Sequence, residues 1–228
     1  MTLLHSILLA DRNNNGASWI DASLNSFRAA HPDATHQFYC DESLRQFIAD
    51  HFDRDVVTAY DRSDNAGKSQ LGRYCLLYEQ GGVYSDPTVF FVAPMVPSPD
   101  GATLRAFRNV DGAARSISTA LIAASPRVGL FAHCIKTAID APAHGAPAAS
   151  ALFASAIATH GENLSIIWGD ETRLPSRAGV DRRAYTVAAG NFIAVSQTRA
   201  TAGAAKHPNV SADDEDSMTL IGMLDGWL

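Results

Sequence analysis

Apolar positions in this chain fall into short blocks whose spacing switches between the strand period and the helix period. Residues 3–10 (LLHSILLA) form a continuous apolar run that predicts a buried strand, closed by Asp11 and Arg12. Residues 18–30 carry Trp19, Ala22, Leu24, Phe27 and Ala30 at near-helical spacing, with Pro32 just beyond. A second strand is expected over 35–40. A helix over 42–51 follows, with Asp41 as its cap and Leu44, Phe47 and Ile48 inward. The β-branched run from Val56 to Ala59 reads as a third short strand. A helix over 66–80 precedes strand pieces at 83–85 and 88–92. This alternation predicts an α/β fold with a mainly parallel central sheet flanked by helices. The three prolines of residues 93–101 mark a seam rather than a linker between domains. Beyond it the chain is Ala-rich, with strands expected near 104–109, 117–123 and 191–196 and helices near 127–140 and 148–160. We read residues 1–228 as one domain, with 1–92 as its first half and 93–228 as its second half and C-terminal tail.

Composition narrows the function classes. Apolar residues make up 46% of the 228 positions and charged residues 18%, so the chain can bury a substantial core. A formal net charge of −6 speaks against nucleic-acid binding and, more weakly, against tight docking on anionic lipid. Three cysteines, Cys40, Cys75 and Cys134, follow no metal spacing and read as small core residues of a reducing compartment. The first apolar run is too short for a membrane span and lacks the basic start of a signal peptide, so a cytoplasmic protein is expected, with a peripheral visit to a membrane through its substrate. The acidic run Asp213–Asp216 reads as a solvated loop before a short apolar helix ending in Trp227.

The most informative stretch is 66–92, AGKSQLGRYCLLYEQGGVYSDPTVFFV. Leu71, Tyr74, Cys75, Leu77 and Tyr78 form an apolar helical face, with Lys68 and Arg73 off that stripe. Gly81 and Gly82 end the helix, one of them in a left-handed conformation. Val83 and Tyr84 open a strand, and Pro87 stiffens the turn that carries Asp86. A carboxylate at the carboxyl end of a strand in an open α/β sheet stands where such folds bind ligands. Two readings remain at this level: a crevice shared by Arg73 and Asp86, or a surface ion pair beside a turn aspartate.

The same residues resemble the sugar-binding region of glycosyltransferases with an Asp-x-Asp motif, the group that includes outer-chain mannosyltransferases, bacterial capsular polysaccharide transferases and, more distantly, clostridial glucosylating toxins. Ser69, Arg73, Tyr74, Leu77, Tyr78, Gly81, Gly82, Tyr84 and Asp86 match its pattern at the same spacing. Residues 19–48, 117–135 and 145–175 resemble it more weakly. The resemblance implies a GT-A fold, the Rossmann-like architecture of nucleotide-diphospho-sugar transferases, and transfer from a nucleotide-diphosphate sugar with retention. It implies an Mn²⁺ or Mg²⁺ cofactor and a glycan or lipid-linked acceptor. It also implies catalytic and donor-sugar roles for Arg73 and Asp86, with Tyr84 beside them. A UDP-sugar is placed slightly ahead of a GDP-sugar.

Two positions depart from the pattern. Thr88 stands where the family has its second aspartate, the principal protein ligand of the metal, and a hydroxyl is a weaker ligand for a hard cation. Gln70 stands where the family has an aspartate that holds the donor sugar, and it keeps hydrogen-bonding capacity without charge. The expected donor site is therefore Lys68, Gln70, Arg73, Tyr84, Asp86, Ala10, Asp11 and Lys206, and the expected metal set is Asp86, Thr88 and His207. For Asp11, Lys206 and His207 an ordinary loop role stands beside the functional one, and Trp19 is a base-stacking candidate or a core residue. Asn109, Asp111 and the Ser118–Thr119 pair are placed near the acceptor. Trp168, Gly169, Asp170 and Glu171 are read as a polar-aromatic loop, either a sugar platform or a surface turn. A catalytically inactive nucleotide-sugar or glycan-binding module is the alternative function, favoured by Gln70 and Thr88. P-loop and dinucleotide fingerprints are absent from the sequence.

Overall fold

A computed structural model describes residues 2–9, 17–95, 103–111, 116–141, 148–177, 180–187 and 190–199. Six α-helices, one 3-10 turn (Gly161–Asn163) and nine strands occur among them. The first half contains β1 (Leu3–Ile7), α1 (Ala17–Ala30), β2 (Thr35–Tyr39), α2 (Asp41–His51), α3 (Arg54–Asp61), α4 (Asn65–Gln80), β3 (Gly82–Ser85) and β4 (Val89–Phe91). The second half contains β5 (Leu104–Asn109), β6 (Ile117–Ala124), α5 (Gly129–Asp140), α6 (Ala149–His160), β7 (Ile166–Arg177), β8 (Val180–Val187) and β9 (Asn191–Arg199). The predicted tail helix and the Asp213–Asp216 run lie outside the described residues.

All nine strands join one sheet in the order β2-β1-β3-β6-β5-β7-β8-β9-β4. The α/β class holds, but the sheet is mixed rather than mainly parallel. The β1–β2, β1–β3 and β5–β7 pairs are parallel, and the other five are antiparallel. The departure begins at β6, which runs antiparallel between β3 and β5. It continues with β7, β8 and β9, which form an antiparallel meander. The sheet curls, so that β4, last in the order, is tied to β3 by the turn Asp86–Pro87–Thr88.

Each face of the sheet buries its own core. One cluster packs α2 to α6 over the sheet around Tyr74, Leu76, Ile122, Phe131 and Phe153. The other gathers Leu4, Phe27, Val89, Phe91, Phe107 and Tyr185, with Phe27 stacked on Phe91 at 4.5 Å between ring centroids.

Three local expectations are corrected. Residues 56–59 lie inside α3 rather than in a strand. Val56, Ala59 and Tyr60 bury at i, i+3 and i+4, and this period overrides the strand preference of the Val-Val-Thr run. Asp41 is the first residue of α2 rather than its cap; Cys40 takes the cap position, and its N–H donates to Ser43 Oγ at 3.0 Å. Residues 168–171 run through β7 instead of forming a loop. Gly169 permits that path, because a Cβ there would come within 2.5 Å of the Phe107 ring.

Candidate functional site

The site grows from the joint between α4 and β3. Asp64 caps α4 by accepting the Gly67 N–H at 2.8 Å. Both glycines at the far end have positive φ, 63° at Gly81 and 91° at Gly82. A Cβ at Gly82 would lie 2.4 Å from the Leu3 carbonyl oxygen, so the helix can close onto β1 only with glycine there. β3 then enters the sheet beside β1, with Tyr84 opposite His5. His5 is buried and hydrogen-bonds through Nε2 to the Gly81 carbonyl at 2.9 Å. Burial lowers its pKa from 6.5 to about 4, so it packs as a neutral core imidazole.

Arg73 lies off the apolar stripe by pattern, yet it is 6% exposed. Its Nη2 donates to Asp86 Oδ1 at 3.0 Å and to the Tyr84 hydroxyl at 3.3 Å, and its guanidinium lies 4.6 Å from the Tyr84 ring centroid. The Tyr84 hydroxyl donates to the same Asp86 oxygen at 2.6 Å. Burial opposes the charge on Arg73 more than any single neighbour favours it, but the Asp86 carboxylate together with Tyr84 and Tyr74 outweighs it and holds the guanidinium protonated. Burial likewise pushes the Tyr84 hydroxyl well above its ordinary pKa, which keeps it a donor. Asp86 is held through its backbone as well: its N–H reaches the Ala120 carbonyl at 2.8 Å, and its carbonyl accepts from Val89 N–H at 3.0 Å. Its side chain is 28% exposed, and neither bond uses Oδ2. The ligand crevice and the surface ion pair thus separate: Arg73 is a buried cation gripping a carboxylate that still reaches solvent. Arg73 Nε is buried with no hydrogen-bond partner among the described residues. Gln70, half-buried one helical turn earlier, is neutral where a carboxylate would balance that charge.

Lys68 does not join this group. Five residues before Arg73, it is rotated about 140° around the helix. Its ammonium binds Asp41 at 2.9 and 3.1 Å and lies 5.1 Å from the Tyr60 ring centroid. Asp41 Oδ1 also accepts the Tyr60 hydroxyl at 2.8 Å, and the Lys68 hydrogen bond lowers the Asp41 pKa. Ala10, Asp11, Lys206 and His207 lie outside the described residues, as does the side chain of Trp19.

A second polar cluster crosses the neighbouring strand ends. Glu171, 4% exposed, accepts from Ser118 Oγ at 3.0 Å, the Tyr185 hydroxyl at 2.9 Å and Arg183 Nη1 at 3.0 Å. Asn109 Nδ2 approaches its Oε2 at 3.4 Å. Asn109 and Ser118, expected in one neighbourhood, thus meet on Glu171, which was read apart from them. Arg183 and Tyr185 had been missed; their i, i+2 placement facing Glu171 across β8 was the available signal. Ser118 lies two residues before Ala120, whose carbonyl holds Asp86, so the cluster anchors the strand against which Asp86 rests. Asp111 accepts from the backbone N–H of Arg173. Trp168 is half-buried with the Arg108 guanidinium 4.9 Å from its ring centroid, so that face of the indole is already covered.

Residues 18–107 match the family model described as glycosyltransferase sugar-binding region containing DXD motif. That part of the chain is similar to the sugar-binding region of this family, with a variant motif. Among solved structures, one titled PaToxG Glycosyltransferase superposes with a TM-score of 0.53 at 14% identity, covering 69% of each chain, which is a likeness of fold. No curated protein matches the chain by sequence.

Proteins of this family generally bind a divalent metal, and a hard cation is held by several oxygen ligands. The described part of the expected set does not fit one: Asp86 shares Oδ1 with Arg73 and Tyr84, and Thr88 adds only a hydroxyl. No group of three His, Cys, Asp or Glu side chains able to hold a metal occurs among the described residues. Nor is any helix among them long and apolar enough to cross a membrane.

Proposed function

We propose that the protein is a glycosyltransferase that moves a sugar from a nucleotide-diphosphate donor to a glycan or lipid-linked acceptor with retention. The observation that carries this reading is the Arg73–Tyr84–Asp86 group at the carboxyl end of β3, a fixed cation and carboxylate in a family sugar-binding region. Asp86 Oδ2 accepts hydroxyls of the donor, and Arg73 fixes the direction of the carboxylate. The acceptor oxygen attacks the anomeric carbon as the bond to the diphosphate breaks. The diphosphate leaves with the electron pair and takes the acceptor proton on the same face. The chain contributes orientation and a preorganised electrostatic field. A cytoplasmic protein that meets a lipid-linked acceptor at the inner membrane face fits this reading.

The test is release of UDP or GDP from a donor panel, UDP-sugars first, in Mn²⁺, Mg²⁺ or EDTA. Turnover that disappears in Asp86→Ala supports a transferase. Nucleotide-sugar binding without turnover under every condition supports the second reading, a non-catalytic binding module, which Gln70 and Thr88 favour. Activity that survives EDTA assigns leaving-group stabilisation to the protein's own groups.

A further inference from the structure

The oxygens around the turn after β3 are already engaged. Val89 N–H donates to the Asp86 carbonyl at 3.0 Å, which closes the turn over Pro87 and Thr88. The Ser85 hydroxyl donates to the same carbonyl at 3.3 Å. The Thr88 carbonyl accepts Gln197 N–H at 3.0 Å and so carries the β4–β9 ladder one residue further. The Ala120 carbonyl accepts Asp86 N–H at 2.8 Å. A hard divalent cation gathers about six oxygen ligands, carboxylates foremost. Here the turn and its neighbour spend their carbonyls on the fold.

The Asp86 carboxylate is committed as well. Its Oδ1 receives the Tyr84 hydroxyl at 2.6 Å and Arg73 Nη2 at 3.0 Å, so chelation through both oxygens would displace a buried cation. A cation on Oδ2 alone would share one carboxylate with the Arg73 guanidinium, and the two positive charges repel. That repulsion meets no counter-charge at the two positions best placed to supply one. Gln70, one helical turn before Arg73, is neutral, and Thr88, two residues after Asp86, offers a hydroxyl. The guanidinium is itself incompletely matched, since its buried Nε has no hydrogen-bond partner among the described residues. Arg73 thus stands to Asp86 as a metal would, a fixed positive charge that orients the carboxylate.

We propose that Arg73 takes the place of a divalent cation at Asp86, and that the protein binds its nucleotide-diphosphate sugar without one. Resting on the donor-binding reading above, this makes Asp86 a hydroxyl acceptor and not a metal ligand. Thr88 is the deciding position, because a carboxylate there would stand beside Asp86 as a second anionic ligand.

The test has two arms on the full chain. In the first, Mn²⁺ alone is added, and paramagnetic broadening of the Tyr84, Asp86 and Val89 backbone amide signals is read. The parent signals should stay sharp, and those of Thr88→Asp should broaden. In the second, calorimetry measures UDP and UDP-sugar binding in Mn²⁺ and in EDTA. The parent affinities should agree within about twofold, whereas Thr88→Asp should bind about tenfold more tightly with Mn²⁺. Thermal melting shows whether the variant folds; if it does not, the parent measurements decide alone. Broadening at Asp86 in the parent, or donor binding that needs Mn²⁺, would overturn the proposal. So would the absence of any gain in a folded Thr88→Asp. A Mn²⁺ effect in the parent that His207→Ala abolishes would overturn it too, because the C-terminal segment would then supply the ligand. If no nucleotide or nucleotide sugar binds under any condition, the donor reading fails, while the Mn²⁺ broadening still decides whether Asp86 holds a metal.

Discussion

The Tyr84 hydroxyl donates to Asp86 Oδ1 at 2.6 Å, and the same oxygen receives Arg73 at 3.0 Å. A tyrosine from the buried strand thus aims the carboxylate at the strand's end. Tyr84→Phe removes that aim while keeping the ring and the ion pair. A hydrogen bond to a charged group contributes about 1.5–3 kcal/mol, so affinity for the productive nucleotide sugar should fall by about tenfold or more. Titration calorimetry checks this, with nucleotide diphosphate alone as the control that should change little. An unchanged sugar-dependent component would remove Tyr84 from the site.

Arg73 and Asp86 should also be coupled in stability. Asp86→Asn leaves a buried guanidinium without its counter-charge, and breaking a buried pair costs about 3–5 kcal/mol. Because Asp86 is partly exposed, the lower end of that range is expected. Removing both partners, Arg73→Met with Asp86→Asn, should recover part of the loss. Urea unfolding of the double-mutant cycle measures the coupling, and additive effects would show that the pair is energetically inert.

The α4–β3 unit was legible in the sequence because each signal there is local: a helical apolar period, two glycines, and an Asp-Pro turn. The matching residues meet in space as their spacing implied, with Arg73 more deeply buried than its place off the stripe suggested. β8 was not legible as a strand, and β7 was read as one only before Trp168. Their inward positions include Glu171 and Tyr185, buried through hydrogen bonds to each other and to part-exposed Arg183 rather than by apolarity, so alternation of hydrophobic residues is broken where the polar cluster forms. β6 was legible as a strand but not as an antiparallel one, since strand direction depends on which partner the chain returns to. Lys68 shows the limit of charge reading: its partner Asp41 lies 27 positions away.

The same cluster gives a third expectation. Glu171→Gln preserves shape but turns an ion-pairing carboxylate into an amide, and it sets an amide nitrogen against donors on Ser118, Tyr185, Asn109 or Arg183. A loss of about 2–4 kcal/mol is expected. For a domain of this size that lowers the melting temperature by roughly 4–16 °C. Glu171→Asp should recover little, because the shorter side chain cannot span Ser118 on β6 and Arg183 on β8 together. A melting temperature within a degree of the parent for Glu171→Gln would mean that the cluster contributes nothing to stability.

Acid should destabilise the fold through two histidines on β1 and β2. Burial lowers the pKa of His5 and of His36 from 6.5 to about 4, with a minor contribution at His5 from the nearby His36 and at His36 from Arg28. Between those values the unfolded chain binds protons that the folded chain refuses. Stability is therefore complete above about pH 6.5 and declines as pH falls toward 4. For fully buried His5 the 2.5-unit gap corresponds to about 3 kcal/mol, and half-buried His36 should contribute less. Among the described residues His36 Nδ1 and Nε2 have no hydrogen-bond partner, and its ring packs edge-on against Phe27 at 5.3 Å, so His36→Phe removes one titration without abandoning a bond seen there. Unfolding free energy measured at intervals from pH 7 to 4.5 should fall steeply in the parent protein and less steeply in His36→Phe. Equal slopes would show that His36 takes up its proton in the folded state, and that the acid sensitivity arises elsewhere.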